Sequence, residues 1–241
     1  MNPQRIARVF GVLFLLTWVT AIGARVLFEP VYTNPRYVLG GGADTGVYLG
    51  AVFEFLLIVT QIGTAVVLYP LAKRQTEIAA VGYVSARIME SAFALVGVLS
   101  LLAVVTMRQD LAGAAGADAA SLVAVGTSLT ATYDWAFQFG PGLVAGVGNG
   151  LILGYVMYRS GLVPRRLAML GLAGGSLHIT GFLGVLFGVF DADSALRFLS
   201  SVGEMAWEAA LPVYAIWKGF NPSPITSPET RRETDPALSA A

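Results

Sequence analysis

Apolar residues run along this chain in six blocks, each bounded by a short polar stretch. A helix that crosses a bilayer needs ~20 consecutive, mostly apolar residues. Residues 6–28, 46–71, 79–107, 141–158, 165–190 and 199–218 meet or approach that length. The pattern predicts an all-α, polytopic transmembrane bundle of six helices, with residues 1–220 forming a single domain. Turn chemistry supports the boundaries. Asp44 or Thr45 can cap the second helix, Pro141 suits the first turn of the fourth, and Gly161 with Pro164 can close one helix and open the next. The fourth and fifth helices are then adjacent and antiparallel. Between the third and fourth, GADAASLVAVGTSLTATYDWAFQF is too polar to span. Its Leu122, Val125, Leu129 and Ala136 recur at helical spacing, which predicts an amphipathic helix along the interface, with a plain outer loop as the equal alternative. From Asn221 the chain is rich in Pro, Ser, Thr and charge, and 221–241 reads as a disordered tail.

Charge then orients the bundle. If six helices alternate, Arg5, Arg8, Lys73, Arg74, Arg159, Arg165, Arg166, Lys218, Arg231 and Arg232 fall on one side. The other side holds Arg36, Arg108 and Arg197, each with acidic neighbours such as Asp44, Asp110 and Asp191. The positive-inside rule makes both termini cytoplasmic in a multi-pass inner-membrane protein. Aromatic residues at the proposed ends, Tyr69, Tyr83, Tyr158 and Trp217 inside and Tyr32, Tyr48 and Trp135 outside, fit interfacial belts. The first helix also resembles a secretory signal, since Arg5 and Arg8 precede an apolar run that ends in small residues. Retention is the expectation, because the run continues to Phe28 and an even helix count keeps the charge bias on every loop.

Composition narrows the chemistry. Of the 241 residues, 56% are hydrophobic and 12% charged, with mean hydropathy +0.69, where a soluble domain carries ~25% charged residues. Net charge is zero and no basic run occurs, so nucleic acid is an unsuitable partner. The chain has no cysteine and a single histidine, His178, which argues against thiol chemistry and the usual zinc clusters. No cofactor or metal is expected, and HExxH, GxSxG and Walker signatures are lacking.

Within the spans, small and ionisable residues stand out. Gly142, Gly146, Gly150 and Gly154 are spaced by four on the fourth helix, and Gly171, Gly174, Gly175 and Gly181 give the fifth a similar surface. Such faces let backbones approach closely, here each other or a protein partner. Asn149 and His178 lie among them and so point into protein. An ionised side chain at mid-bilayer costs ~2.5 to 3.5 kcal/mol and normally faces the bundle interior. Glu54 and Gln61 share a face of the second helix, Arg87 and Glu90 are one turn apart on the third, and Glu204 and Glu208 on the sixth. Arg87 is the natural counter-ion for this excess of acid. Pro212 removes the donor to the Glu208 carbonyl, so the sixth helix is expected to loosen there.

RSGLVPRRLAMLGLAGG at 159–175, RIMESAF at 87–93, and the segment from Glu208 to Lys218, Gly219 and Phe220 resemble the bacterial domain-of-unknown-function 4386 family of six-helix membrane proteins. The resemblance implies an Arg and a Glu on the third helix, which fall on Arg87 and Glu90, and a Glu on the last helix, which falls on Glu208, and it brings no activity with it. Three functions are compatible with the residues. The first is a small transporter or binding protein for a proton, a cation, or a cationic or lipophilic ligand, with Glu54, Arg87, Glu90, Glu204 and Glu208 as primary candidates and Gln61, Asn149 and His178 as secondary ones. The second is a non-catalytic sensor or assembly module that meets a partner or its own copy through glycine faces. The third is an intramembrane acid–base enzyme acting on a lipid-like substrate, with Glu90 or Glu208 as the acid.

Overall fold

A computed structural model describes residues 2–40, 43–111 and 117–226. They form six helices: α1 Pro3–Tyr32, α2 Thr45–Gln75, α3 Glu77–Asp110, α4 Asp118–Ser160, α5 Arg165–Leu186 and α6 Ala195–Trp217. The first five are long and apolar enough to cross a membrane. α6 is not among those five, because its 23 residues include Arg197, Glu204 and Glu208. Outward-facing side chains are apolar, as at Val19, Phe55, Leu99 and Trp217. The chain is a multi-span helical protein.

Several boundaries differ from the expected ones for local reasons. α1 starts early, at Pro3, because the Asn2 side chain accepts from the Gln4 N–H at 2.9 Å and proline suits a first turn. It then continues past Pro30. α5 stops at Leu186, four residues before the expected 190, in a Schellman turn. There Gly188 adopts φ +67°, its N–H reaches the Val185 carbonyl, and the Val189 N–H reaches the Gly184 carbonyl at 2.8 Å. α6 starts early because Ser194 caps it, accepting from the Arg197 N–H at 3.2 Å. Asp44 does not cap α2 with its side chain, which is committed to Tyr37, Arg108 and Gln109 instead. Pro212 does not break α6.

The largest correction concerns α4. The segment expected to lie apart along the interface is helical and runs without interruption into the fourth span, making a single helix of 43 residues. Leu122 and Leu129 pack on the apolar cluster beneath them, whereas Val125 stays exposed. Pro141 stands mid-helix and not in a first turn. Gly140–Val144 and Gly146–Leu153 are π-helical, and the wider turn relieves the clash and missing donor that proline brings to an α-helix interior.

The helices form a closed ring in chain order. α1 packs on α2, α2 on α3, α3 on α4, the π stretch of α4 on α5, α5 on α6, and α6 back on α1. One end of the ring gathers the start of α1, the α2–α3 turn, the α4–α5 loop and the segment after α6. Gln4 Nε2 donates to the Phe220 carbonyl at 2.7 Å, the Asn221 N–H to the Leu162 carbonyl at 2.8 Å, and Arg74 Nη1 to the Ile225 carbonyl at 3.0 Å. Residues 221–226 are therefore packed rather than a free tail, and Ile225 is buried. The expectation for the rest of the tail, including Arg231 and Arg232, lies outside the described residues. At the opposite end Tyr37, Asp44, Tyr48, Arg108 and Gln109 join the α1–α2 loop to α2 and α3. Two apolar clusters fill these ends, one around Phe10, Leu68, Trp207 and Leu211, the other around Phe28, Val47, Leu101 and Val104. Tyr83 belongs to the first cluster and is fully buried, so it is a core residue and not part of an interfacial belt.

Candidate functional site

Between the two apolar clusters lies a cavity of about 590 Å³ lined by all six helices. Glu54, Gln61, Arg87, Glu90, Asn149, His178, Glu204 and Glu208 all line it, beside apolar surface from Phe14, Trp18, Leu57, Phe93, Phe137 and Met205. Spacing along single helices gave each residue's face. The ring order, which spacing does not carry, is what brings the faces together.

On the α2–α3 side the polar groups satisfy one another. Arg87 Nη1 lies 2.6 Å from Glu90 Oε2. Gln61 Nε2 donates to Glu90 Oε1 at 2.9 Å, and Ser91 Oγ donates to Gln61 Oε1 at 3.0 Å. The guanidinium also sits 5.7 Å from the centre of the Phe14 ring. Every carboxylate oxygen of Glu90 has a donor, and Arg87 is 2% exposed. This is a closed knot. Across the cavity, Glu208 Oε1 accepts from Asn149 Nδ2 at 2.6 Å, and the Arg87 charge acts on Glu208 as well as on Glu90.

Glu204 is different. It is 2% exposed, yet neither carboxylate oxygen has a hydrogen-bond partner among the described residues. Its position comes from the glycines. A Cβ on Gly174 would meet the backbone of Gly203 and Glu204, and one on Gly175 would stand 2.6 Å from the Gly150 Cα. With no side chains between them, α4, α5 and α6 converge and drive Glu204 inward against Gly150, where a Cβ would lie 2.7 Å from its Oε2. Glu54 also lines the cavity, half-buried and without a hydrogen bond or ion pair among the described residues.

Two backbone carbonyls of the π-helical stretch are engaged by side chains from α5 and α6. Trp207 Nε1 donates to the Asn149 carbonyl at 2.9 Å. His178 Nε2 lies 2.8 Å from the Pro141 carbonyl, an acceptor only, so that nitrogen carries the proton and Nδ1 is left to face Arg197 Nη1 at 3.4 Å. Arg197, assigned from the sequence to an outer loop, instead lines the cavity from the first turn of α6. Arg25 lines it too, held over the rings of Tyr32, Phe137 and Tyr133 at 4.1, 5.1 and 5.5 Å. Three guanidiniums, not one, therefore face the four glutamates. Arg25 carries the same signal in the sequence as Arg87, a charge inside an expected span. Arg197 required the Ser194 cap to be recognised. Among the described residues no group of three His, Asp or Glu side chains is placed to hold a metal ion.

Chemically, the cavity offers a large apolar volume of the size that encloses small organic ligands, a self-satisfied ion pair, and carboxylates with unused acceptor capacity. No curated protein and no solved structure matches the chain. The family model described as a domain of unknown function, DUF4386, matches residues 9–219, an extent that takes in α1 from Val9 onward, the other five helices and every residue of the cavity, and the chain belongs to that family.

Proposed function

We propose that this is a six-span membrane protein, both termini cytoplasmic, that binds and carries a small ligand with a cationic group and an apolar body. One observation carries the reading: Glu204 is buried in the wall of a 590 Å³, mostly apolar cavity with both carboxylate oxygens unpartnered. A buried carboxylate without donors is relieved by a proton or a cation, and the cavity walls suit an alkyl or aryl group beside that cation. The knot of Arg87, Glu90 and Gln61 braces the opposite wall, and Asn149 aims Glu208 at the same space. The cytoplasmic assignment rests on Arg5, Arg8, Lys73, Arg74, Arg159, Arg165, Arg166 and Lys218, which the alternation of the six helices places at one end of the ring.

The assembly-module reading needs glycine faces open to a partner. Gly146, Gly150, Gly154, Gly171, Gly174 and Gly175 are each in close contact within the chain, which supports binding over assembly. The test is thermal unfolding of the purified protein with alkylamines and monovalent cations. Wild type should be stabilised by at least one amine, and Glu204→Gln should lose that shift while still folding. If no amine or cation shifts wild type, the reading is wrong.

A further inference from the structure

We infer that the ligand is amphoteric, with a carboxylate taken by Arg197 at one end of the cavity and an amine taken by Glu204 at the other. This inference rests on the binding reading above and adds the second charge. Arg197 is 8% exposed and lines the cavity, yet its guanidinium meets only neutral partners: Ser201 Oγ at 2.8 Å, Ser200 Oγ at 3.3 Å, and His178 through Nδ1 and its backbone carbonyl. No carboxylate of the described residues is within ion-pair distance of it; Asp193, on the preceding loop, is exposed. Buried charges are ordinarily paired. Arg197 also stands in the first turn of α6, where the helix dipole already favours an anion over a cation.

Two further features fit a bound oxyanion. Gly142 leaves the space beside Arg197 open, since a Cβ there would lie 3.2 Å from Nη2. With its Nε2 proton held by the Pro141 carbonyl, His178 turns an acceptor, not a competing charge, toward the guanidinium. One positive charge in a neutral setting matches a monoanion, and the planar guanidinium suits a carboxylate in two-point contact. Arg197 and Glu204 are two helical turns apart on α6, ~10 Å along its axis. On α6 Ser201 lines the cavity between the two charges, with the apolar Phe198 beside Arg197 and Met205 beside Glu204. The cavity therefore presents a cation and an anion about two helical turns apart, the charge pattern complementary to an extended ω-amino acid.

The test is calorimetric titration of the full chain in lipid nanodiscs with 8-aminooctanoate, octylamine and octanoate, which share one chain and differ only in their end groups. Wild type should bind 8-aminooctanoate at least tenfold more tightly than octylamine, and octanoate most weakly. Arg197→Gln should remove the tenfold preference, so that 8-aminooctanoate binds no more tightly than octylamine, whereas Arg197→Lys, which keeps the charge, should retain part of it. If Arg197→Gln does not fold, the wild-type series alone decides. Equal binding of 8-aminooctanoate and octylamine overturns the carboxylate subsite and leaves the cation-binding reading standing. Binding of octanoate as tight as that of 8-aminooctanoate, or no binding of any of the three, overturns both.

Discussion

Glu90 and Glu204 are the same side chain, both nearly fully buried on one cavity, and their surroundings make them opposites. Glu90 has a guanidinium and an amide donor, so Glu90→Gln leaves the Arg87 charge under-compensated and should destabilise the protein by ~2 to 3 kcal/mol, since breaking a buried pair is expensive. Glu204 has no partner to lose. Glu204→Met, of similar size, should raise stability by ~1 to 2 kcal/mol by removing an unsatisfied polar group. Chemical unfolding of the two variants beside wild type measures both signs. Asp44 gives a pH-dependent case outside the spans. Burial opposes its charge, but hydrogen bonds from Tyr37 at 2.7 Å and Gln109 at 2.8 Å, with the Arg108 guanidinium, outweigh it and hold the carboxyl below its ordinary value. Burial and the bond to Asp44 push Tyr37 up to about 12. A depressed carboxyl contributes fully above its unfolded value of ~3.9 and loses that contribution as pH falls through the folded one. Wild-type melting temperature should therefore drop in acid below pH ~4, and Asp44→Asn should flatten that limb while losing ~3 kcal/mol at neutral pH.

The elements show which signals local sequence carries and which it does not. Gly161 at φ +70° and Pro164 mark the α4–α5 boundary as the turn chemistry predicts. The glycine periodicity of α4 and α5 corresponds to the close approach of Gly150 and Gly175. The continuity of α4 was not legible, because Pro141 reads as the first turn of a new helix, and only packing against α3 and α5 makes a π-helical passage worthwhile there. The same contacts set a sharp test of the element. Gly150→Ala places a methyl against the Gly175 backbone and 2.7 Å from Glu204 Oε2, and should destabilise by ~2 kcal/mol or more through overpacking. Gly82→Ala on α3 meets only Ile152 Cδ1 at 3.5 Å, and should be neutral or stabilising by up to ~1 kcal/mol from helix propensity. If the two variants unfold alike, the three-helix contact at Gly150 is not what fixes α4.

At the scale of the whole molecule, the charges along the helices and the order of the helices do different work. A run of six apolar blocks is legible as six helices, and an ionisable residue inside a block is legible as facing inward, which is why Glu54, Arg87, Glu90, Glu204 and Glu208 could be singled out. Their meeting is a property of the closed ring, since α6 returns to α1 and brings Glu204 and Glu208 opposite Arg87. The ring also fixes which loops share an end, and that makes orientation testable with single thiols, because the chain has no cysteine of its own. Asn34 and Asp191 are exposed in the loops after α1 and α5, and Arg166 and Lys218 are exposed at the start of α5 and the end of α6. In intact cells a membrane-impermeant maleimide should label the Asn34→Cys and Asp191→Cys proteins, and should reach Arg166→Cys and Lys218→Cys only after permeabilisation. The reverse pattern would invert the bundle against its own charge asymmetry. Labelling of Asn34→Cys and Arg166→Cys from the same side would mean that α6, the charged helix, is not the only one whose crossing needs explanation, since an even alternation from α1 to α5 forbids it.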